Sequence, residues 1–409
     1  MYRAHHPDDP GMHIRDQFTD SHTRVAYKSN PGFLDRIQSS CGATLFGIVL
    51  VIVAFPVLYW NEGRAVETAL SLDEGLREVV SLHTIDQIQD QYHGKLVHIS
   101  GQLRTDMVLN DGEYSVAVKA VKLKREVEMY QWVEHKSTKE YNEGDKTRVE
   151  STFSYNKEWK STIISSHDFD NPSRHQNPSS IPVSAYVKEA DPVFVGAFRI
   201  SKGLIGKIND YHGLQAKEIP TGSDIMIQDG IFYHSHNPFS PQVGDVRVRF
   251  SYAGLSGKSR LGEPLTVSIV ARQHGGTFEP YHTASGYTLE LLYPGQLSAK
   301  EIFDAEHSVN SVVTWALRGV GWFMLFFGFV MMTSILTTLV SWLPIVRELV
   351  GLGVIITCLC LSTSLSLVTI AIGWIAHRPL LGMALLAAAA VPILLSKFKQ
   401  GGKKKESKL

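Results

Sequence analysis

Ala43 to Trp60 reads ATLFGIVLVIVAFPVLYW, an uncharged run of eighteen residues. At about 1.5 Å per helical residue it is long enough to cross a hydrocarbon core of roughly 30 Å, so it predicts a membrane-spanning helix. A secretory leader would start nearer the N-terminus, carry a shorter apolar region and end in a small-residue cleavage site. Here polar residues come first, and the run closes on Tyr59 and Trp60, side chains suited to the membrane interface. Pro56 stands near the end, where the backbone groups it frees lie close to water. The competing reading is a buried helix of a soluble protein.

Further apolar runs lie far along the 409-residue chain. Residues 319–340 predict a second span, bracketed by Trp315, Trp322 and Trp342; residues 351–374 predict a third and 380–395 a shorter fourth. Only 375–379, with His377, Arg378 and Pro379 breaking the apolar run, separate the last two, which therefore pack as an antiparallel pair, the alternative for 380–395 being a re-entrant segment. The expected fold is a multi-pass α-helical membrane protein of four spans, with a large, mainly β (α+β) lumenal domain inserted between spans one and two.

The domain limits follow. Residues 1–42 form a tail with no assigned structure, 61–312 the β-rich insert, and 396–409 a lysine-rich tail. Lys+Arg and Asp+Glu are equal at 40 each, leaving no global basic field for nucleic acid. Basic residues near the spans are unevenly shared. Arg24, Lys28, Arg36, Arg347 and the C-terminal lysines outnumber Arg64, Arg77, Lys300, Arg318 and Arg378 on the other side. That asymmetry predicts both termini in the cytosol or nucleoplasm and the insert in the lumen. Asn171-Pro172-Ser173 and Asn177-Pro178-Ser179 are excluded as glycosylation sequons by their prolines, and Cys41, Cys358 and Cys360 all lie in or beside apolar runs.

Within the insert, Val66, Ala69, Leu70, Leu76 and Val79 recur at helical spacing, with Ser71 and Glu74 resembling a capping box. From Lys95 the period becomes two. Val121, Leu123, Val127, Met129 and Val133 alternate with Lys122, Lys124, Glu126 and Glu128, predicting a half-buried strand. A turn over His135–Asp145 and a return strand through Val149, Phe153 and Tyr155 complete a long hairpin. The Asn-Pro-rich loop at 168–180 marks a possible lobe boundary. Beyond it, 193–200, 246–252, 265–269 and 287–291 repeat the strand pattern.

Catalytic signatures are broken. Gly257-Lys258-Ser259 lacks the opening glycine of a phosphate loop, since Tyr252 occupies that place, and no nucleophile elbow occurs. Gly319-Val320-Gly321 and Gly351-Leu352-Gly353 lack the third glycine of a dinucleotide fingerprint and sit where small residues let helices approach. His234 and His236 share a strand face and could offer two metal ligands, but no cysteine or spaced carboxylate accompanies them; ordinary strand-end histidines are the plainer reading. No enzyme, cofactor or metal is expected. The candidate residues are instead structural: Trp60, Trp315, Trp342, Arg347, Lys403, Lys404 and Lys405 as interface anchors, and Ser362, Ser364, Ser366, Ala384 and Ala388 for helix packing, including contacts between copies. The terminal Ser407-Lys408-Leu409 spells a peroxisomal signal but reads more simply as part of a lysine-rich tail facing anionic lipid.

These residues carry a resemblance. Pro31–Arg36, Asn61-Glu62-Gly63-Arg64-Ala65, Met129-Tyr130-Gln131-Trp132-Val133-Glu134, Tyr155–Trp159, Phe250–Gly257, Arg378-Pro379-Leu380 and Val391–Leu394 are similar to the LUMA family, transmembrane protein 43. The resemblance implies a self-associating protein of the inner nuclear membrane and endoplasmic reticulum that organises envelope complexes with emerin and with A- and B-type lamins. It brings no catalytic residues. Glu406 and Ser407 stand where family members carry a di-lysine retrieval signal. A non-enzymatic scaffold is the preferred function; a channel or channel-modulating subunit and an endomembrane signalling adaptor are the alternatives.

Overall fold

A computed structural model describes residues 20–29, 33–144, 146–217, 224–257, 261–334 and 344–377. The elements used below are β1 (Asp20–Ser29), α1 (Phe33–Glu78), β2 (Leu96–Arg104), β3 (Ala120–Glu143), β4 (Lys146–Lys160), β5 (Ile231–His234), β6 (Val246–Leu255), β7 (Thr266–His274), α2 (Ala299–Met332) and α3 (Pro344–His377).

The period-two segments build a β body of two main sheets. In the eight-stranded sheet the order runs β1–β4–β3–β6–β5, ending on Met226–Gln228. In the seven-stranded sheet β2 and β7 pair antiparallel, from Thr266↔Gln102 to Arg272↔Leu96. Val97 and Ile99 of the second sheet join Val121, Leu123, Val127, Val248 and Phe250 of the first in one buried cluster, as alternation on two facing sheets requires. Val183, Val193 and Phe198 share that cluster with Val121 and Leu123. The loop at 168–180 therefore does not divide the body into two cores. It is pinned where Asn177 accepts the Trp132 N–H at 2.7 Å and donates to the Trp132 carbonyl at 2.9 Å.

Two helices run unbroken from the apolar windows into this body. Leu72 of α1 and Ile302 and Phe303 of α2 pack with Leu96, Val270, Leu289 and Leu291. Ala54 and Leu58 meet Leu325 in the apolar stretch, with Leu365 and Ile370 of α3 against them. Glycines set the α1–α2 distance. A Cβ on Gly47 would stand 2.6 Å from the Gly328 carbonyl oxygen, one on Gly328 2.7 Å from Val51 Cγ2, and one on Gly321 2.4 Å from Leu58 Cδ2. Gly319, Gly351 and Gly353 have open space instead.

The four-span expectation is corrected. Among the described residues three helices are long and apolar enough to cross a membrane: Ser40–Glu78, Ala299–Met332 and Gly351–His377. Residues 380–395 lie outside the described residues. The lumenal insert between spans one and two is also overturned, because the sheet takes its edge strand from before the first span: β1 pairs with β4 from Asp20↔Tyr155 to Ser29↔Lys146. Chain order alone made 61–312 look self-contained; hydrogen bonding in the sheet ignores that order.

Local expectations shift for similar reasons. The tail at 1–42 contains β1 and the start of α1. Ser71 and Glu74 form no capping box, since α1 continues through them. Ser71 Oγ instead lies 2.8 Å from Thr283 Oγ1, and Glu74 accepts the Ala284 N–H. The stretch expected to turn at His135–Asp145 remains paired strand as far as Glu143↔Lys146, because its charged side chains need only water on both faces.

Candidate functional site: a polar clasp at the membrane edge

Immediately after Trp60, α1 leaves its apolar window through Asn61-Glu62-Gly63-Arg64, and each of these residues meets another helix. Glu62, 1% exposed, accepts two hydrogen bonds from Arg318 of α2, Nε to Oε1 and Nη2 to Oε2, both at 2.7 Å. Trp374 Nε1 of α3 donates to Oε2 at 2.8 Å. This paired, fork-shaped contact satisfies both oxygens of a buried carboxylate. The Arg318 guanidinium lies 4.8 Å from the Trp315 ring centroid and 6.0 Å from that of Trp374, an arrangement favoured by the ring quadrupole.

A second layer repeats the crossing one turn on. Buried Asn61 donates to the Thr314 carbonyl at 3.1 Å. Arg64 donates to Asn310 Oδ1 at 3.0 Å and to Thr314 Oγ1 at 2.9 Å, while Asn310 Nδ2 returns a bond to the Ala65 carbonyl at 2.9 Å. Glycines again permit the approach. A Cβ on Gly63 would lie 2.9 Å from the His377 ring, and one on Gly373 2.8 Å from Glu62 Cβ. Beside the clasp a cavity of about 250 Å³ is lined by Glu62, His307, Asn310, Thr314, Trp315, Arg318 and Trp374, among others. Among the described residues, the Glu62 carboxylate is spent on Arg318 and Trp374. What it does chemically is lock three helices at one depth.

The sequence-derived residues fall around this site. Trp60 and Trp315 are exposed, at 60% and 67%, next to the clasp. Ser362 and Ser366 are buried, their hydroxyls bonded to the Leu359 and Thr363 carbonyls of their own helix. Ser364 is exposed on α3. Arg347 belongs to α3. Trp342, Ala384, Ala388, Lys403, Lys404 and Lys405 lie outside the described residues. The charge count treated Arg64 and Arg318 as edge charges and passed over Glu62. The only signal for their pairing was the run Asn61–Ala65 itself, together with tryptophans flanking an arginine.

In the body, His234 and His236 do not act together. His234 Nε2 lies 2.8 Å from Tyr114 Oη, while His236 stands exposed past the strand end. Burial holds the His234 pKa below its ordinary value, with Glu113 opposing and Arg125 adding to the shift. Arg125 takes an inward place between Leu123 and Val127 and is neutralised there by Asp111 at 3.0 Å and Glu113 at 2.7 Å, with its Nε donating to the Ser184 carbonyl at 2.8 Å. Burial, followed by the bond to Asp111, drives the Tyr186 phenol upward. Among the described residues no group of three or more His, Cys, Asp or Glu is placed to hold a metal ion.

Fold and clasp together define a multi-pass membrane protein whose spanning helices continue into a large, mostly β body. The comparisons narrow this class. The profile described as transmembrane protein 43 matches residues 129–379. Human transmembrane protein 43 is 44% identical over 387 residues, covering 94% of this chain and 97% of the relative; the mouse protein gives the same identity and coverage. The fruit fly (Drosophila melanogaster) transmembrane protein 43 homolog is 36% identical over 368 residues, covering 88% and 95%. The chain belongs to the transmembrane protein 43 family. No solved structure matches.

Proposed function

We propose that this chain is a non-enzymatic, self-associating scaffold of the inner nuclear membrane and endoplasmic reticulum that gathers envelope proteins, emerin and A- and B-type lamins among them. One observation carries the reading: α1 and α2 continue without a break from bilayer to body and are cross-tied by Glu62–Arg318, so the β body is held at a set height and angle to the membrane. A scaffold needs that rigidity, because several weak contacts add into avidity only when their geometry permits simultaneous engagement. The resemblance to its family supplies the partner classes.

Proximity labelling from the tagged full chain, with immunoprecipitation from nuclear envelopes, tests the reading. Emerin and lamins should be enriched at least several-fold over a control membrane protein of equal abundance, and Glu62→Ala should reduce that enrichment without removing the chain from membranes. Equal recovery by the control would overturn it.

A further inference from the structure

The N-terminal strand and the helix after it constrain each other. β1 pairs with β4 over ten residues, and β4 pairs with β3 over the same stretch, from Tyr155↔Glu134 to Lys146↔Glu143. β6 accompanies β3 only as far as Met129, so these ten levels form a three-stranded ribbon projecting from the body. At about 3.3 Å per residue the ribbon is some 33 Å long, the thickness of a hydrocarbon core. Its root is fixed by side chains as well as backbone. His175 Nε2 lies 2.9 Å from Asp20 Oδ2, and Asp170 Oδ2 receives His22 at 2.5 Å and Arg24 at 2.9 Å.

The tip carries Ser29, and only three residues separate Ser29 from Phe33, the start of α1. That link spans at most about 14 Å, while Phe33 to Glu78 measures about 68 Å along the helix axis. The tip therefore stands at least about 54 Å from the level of Glu78, by the same rise per residue. Ala43, the far edge of the apolar window, stands about 53 Å from it. The ribbon leaves the body on one side of the membrane-crossing window and ends on the other.

Val25, Tyr27 and Tyr141 are exposed apolar side chains on one face, but charge interrupts both faces of the ribbon. Arg24, Lys28 and Glu140 lie on one face and Lys139, Arg148 and Glu150 on the other, by register. Among the described residues the outer edge of β1 pairs with no strand, and β3 beyond His135 pairs only with β4. Hydrocarbon admits neither open strand edges nor unshielded charges; strands cross it only when closed. The helices of the same chain do offer lipid-facing surfaces, with Phe46, Val49, Ile52, Phe323 and Ile356 exposed.

We propose that copies of this chain close into a ring, with helices outward and ribbons inward around a water-filled passage that admits small hydrated ions, the free edge of β1 in one copy lying along the free edge of β3 in the next. β1 and β3 are both antiparallel to β4 and so run in the same direction. A head-to-tail ring repeats one contact at every junction and leaves no strand edge open.

The test uses the full chain in liposomes, with Cys41, Cys358 and Cys360 replaced by serine and single cysteines probed with a membrane-impermeant maleimide. Ser137→Cys and Thr23→Cys, both at mid-ribbon, should react within a few-fold of Lys188→Cys in the body and at least tenfold faster than Ile52→Cys on α1. Lys146→Cys at the tip should react from the side opposite Lys188→Cys. Oxidising the double variant Val25→Cys/Lys139→Cys should give a ladder of chain multiples ending at one size. Variants enter only if they keep the parent melting temperature, and two reporters at one depth protect against a single misfolded variant. Tip and body reacting from the same side, mid-ribbon cysteines as slow as Ile52→Cys, or an oxidised double variant that stays a single chain would each overturn the ring.

Discussion

Arg125 is buried and Arg318 half-buried, each against a buried carboxylate, but they do different structural work. The carboxylate partners of Arg125, Asp111 and Glu113, lie 14 and 12 residues away in sequence, and the network knits one corner of the β body. Glu62 lies 256 residues from Arg318, and Trp374 lies 312 residues from Glu62. The first network stabilises a neighbourhood. The second decides how three helices meet, so a change there alters the relation of body to membrane.

The largest expected effect breaks the membrane-edge member of this comparison. Glu62→Ala leaves the Arg318 charge without its carboxylate and should cost about 3–5 kcal/mol, read as a lower melting temperature in detergent and faster proteolysis between body and helices. Replacing both by leucine should recover most of the loss, since a buried pair exchanged for apolar packing is often close to neutral. Failure of that rescue would mean the pair has a role beyond packing.

Asp111→Ala should come next, at roughly 2–3 kcal/mol, because Glu113 still neutralises Arg125 while Tyr186 loses its acceptor. Its effect should appear in the tertiary signal of the body and leave helix cross-links intact. The contrast sharpens with Gly328→Ala, which presses a methyl against Val51 and should cost about 1–3 kcal/mol by overpacking. Cysteine cross-linking between α1 and α2 would report it.

The smallest effect is a pH dependence of the body. His98 is held below its ordinary value of 6.5 by burial, which outweighs its bond to the Leu297 carbonyl, and His234 likewise by burial. Both fold as neutral imidazoles, and as pH falls through 6.5 the unfolded chain takes up these protons first. Their contribution is complete above that value and lost as pH drops toward the lower folded values. Melting temperature should therefore decline from pH 7 to pH 5, and His98→Gln should flatten the slope.

Much of this was legible in the residues. The hydropathy windows at 43–60 and 351–374 lie within α1 and α3, and 319–332 within α2, which Thr333 caps; 335–340 lie outside the described residues. Period two found the strands around Val121, Val248 and Val267. The hairpin was read with too long a turn, because charge at Lys136–Glu143 looks the same on a loop as on a two-sided wet ribbon. Arg125 escaped because alternation marks a face as apolar on average, and a single paired cation does not change the average.

Apolar length, strand periodicity and family membership are properties of neighbouring residues, so the chain alone determined them. Which strand lies beside which, and which charge answers which, was decided only by the tertiary structure. Asp20–Ser29 reads as polar tail until Tyr155–Lys146 supplies its hydrogen bonds, and Glu62 reads as a surface acid until Arg318 and Trp374 close over it. The reason is physical: a local pattern records what a side chain must be shielded from or exposed to, whereas a buried hydrogen bond depends on a partner hundreds of residues away that only the folded chain brings within 3 Å.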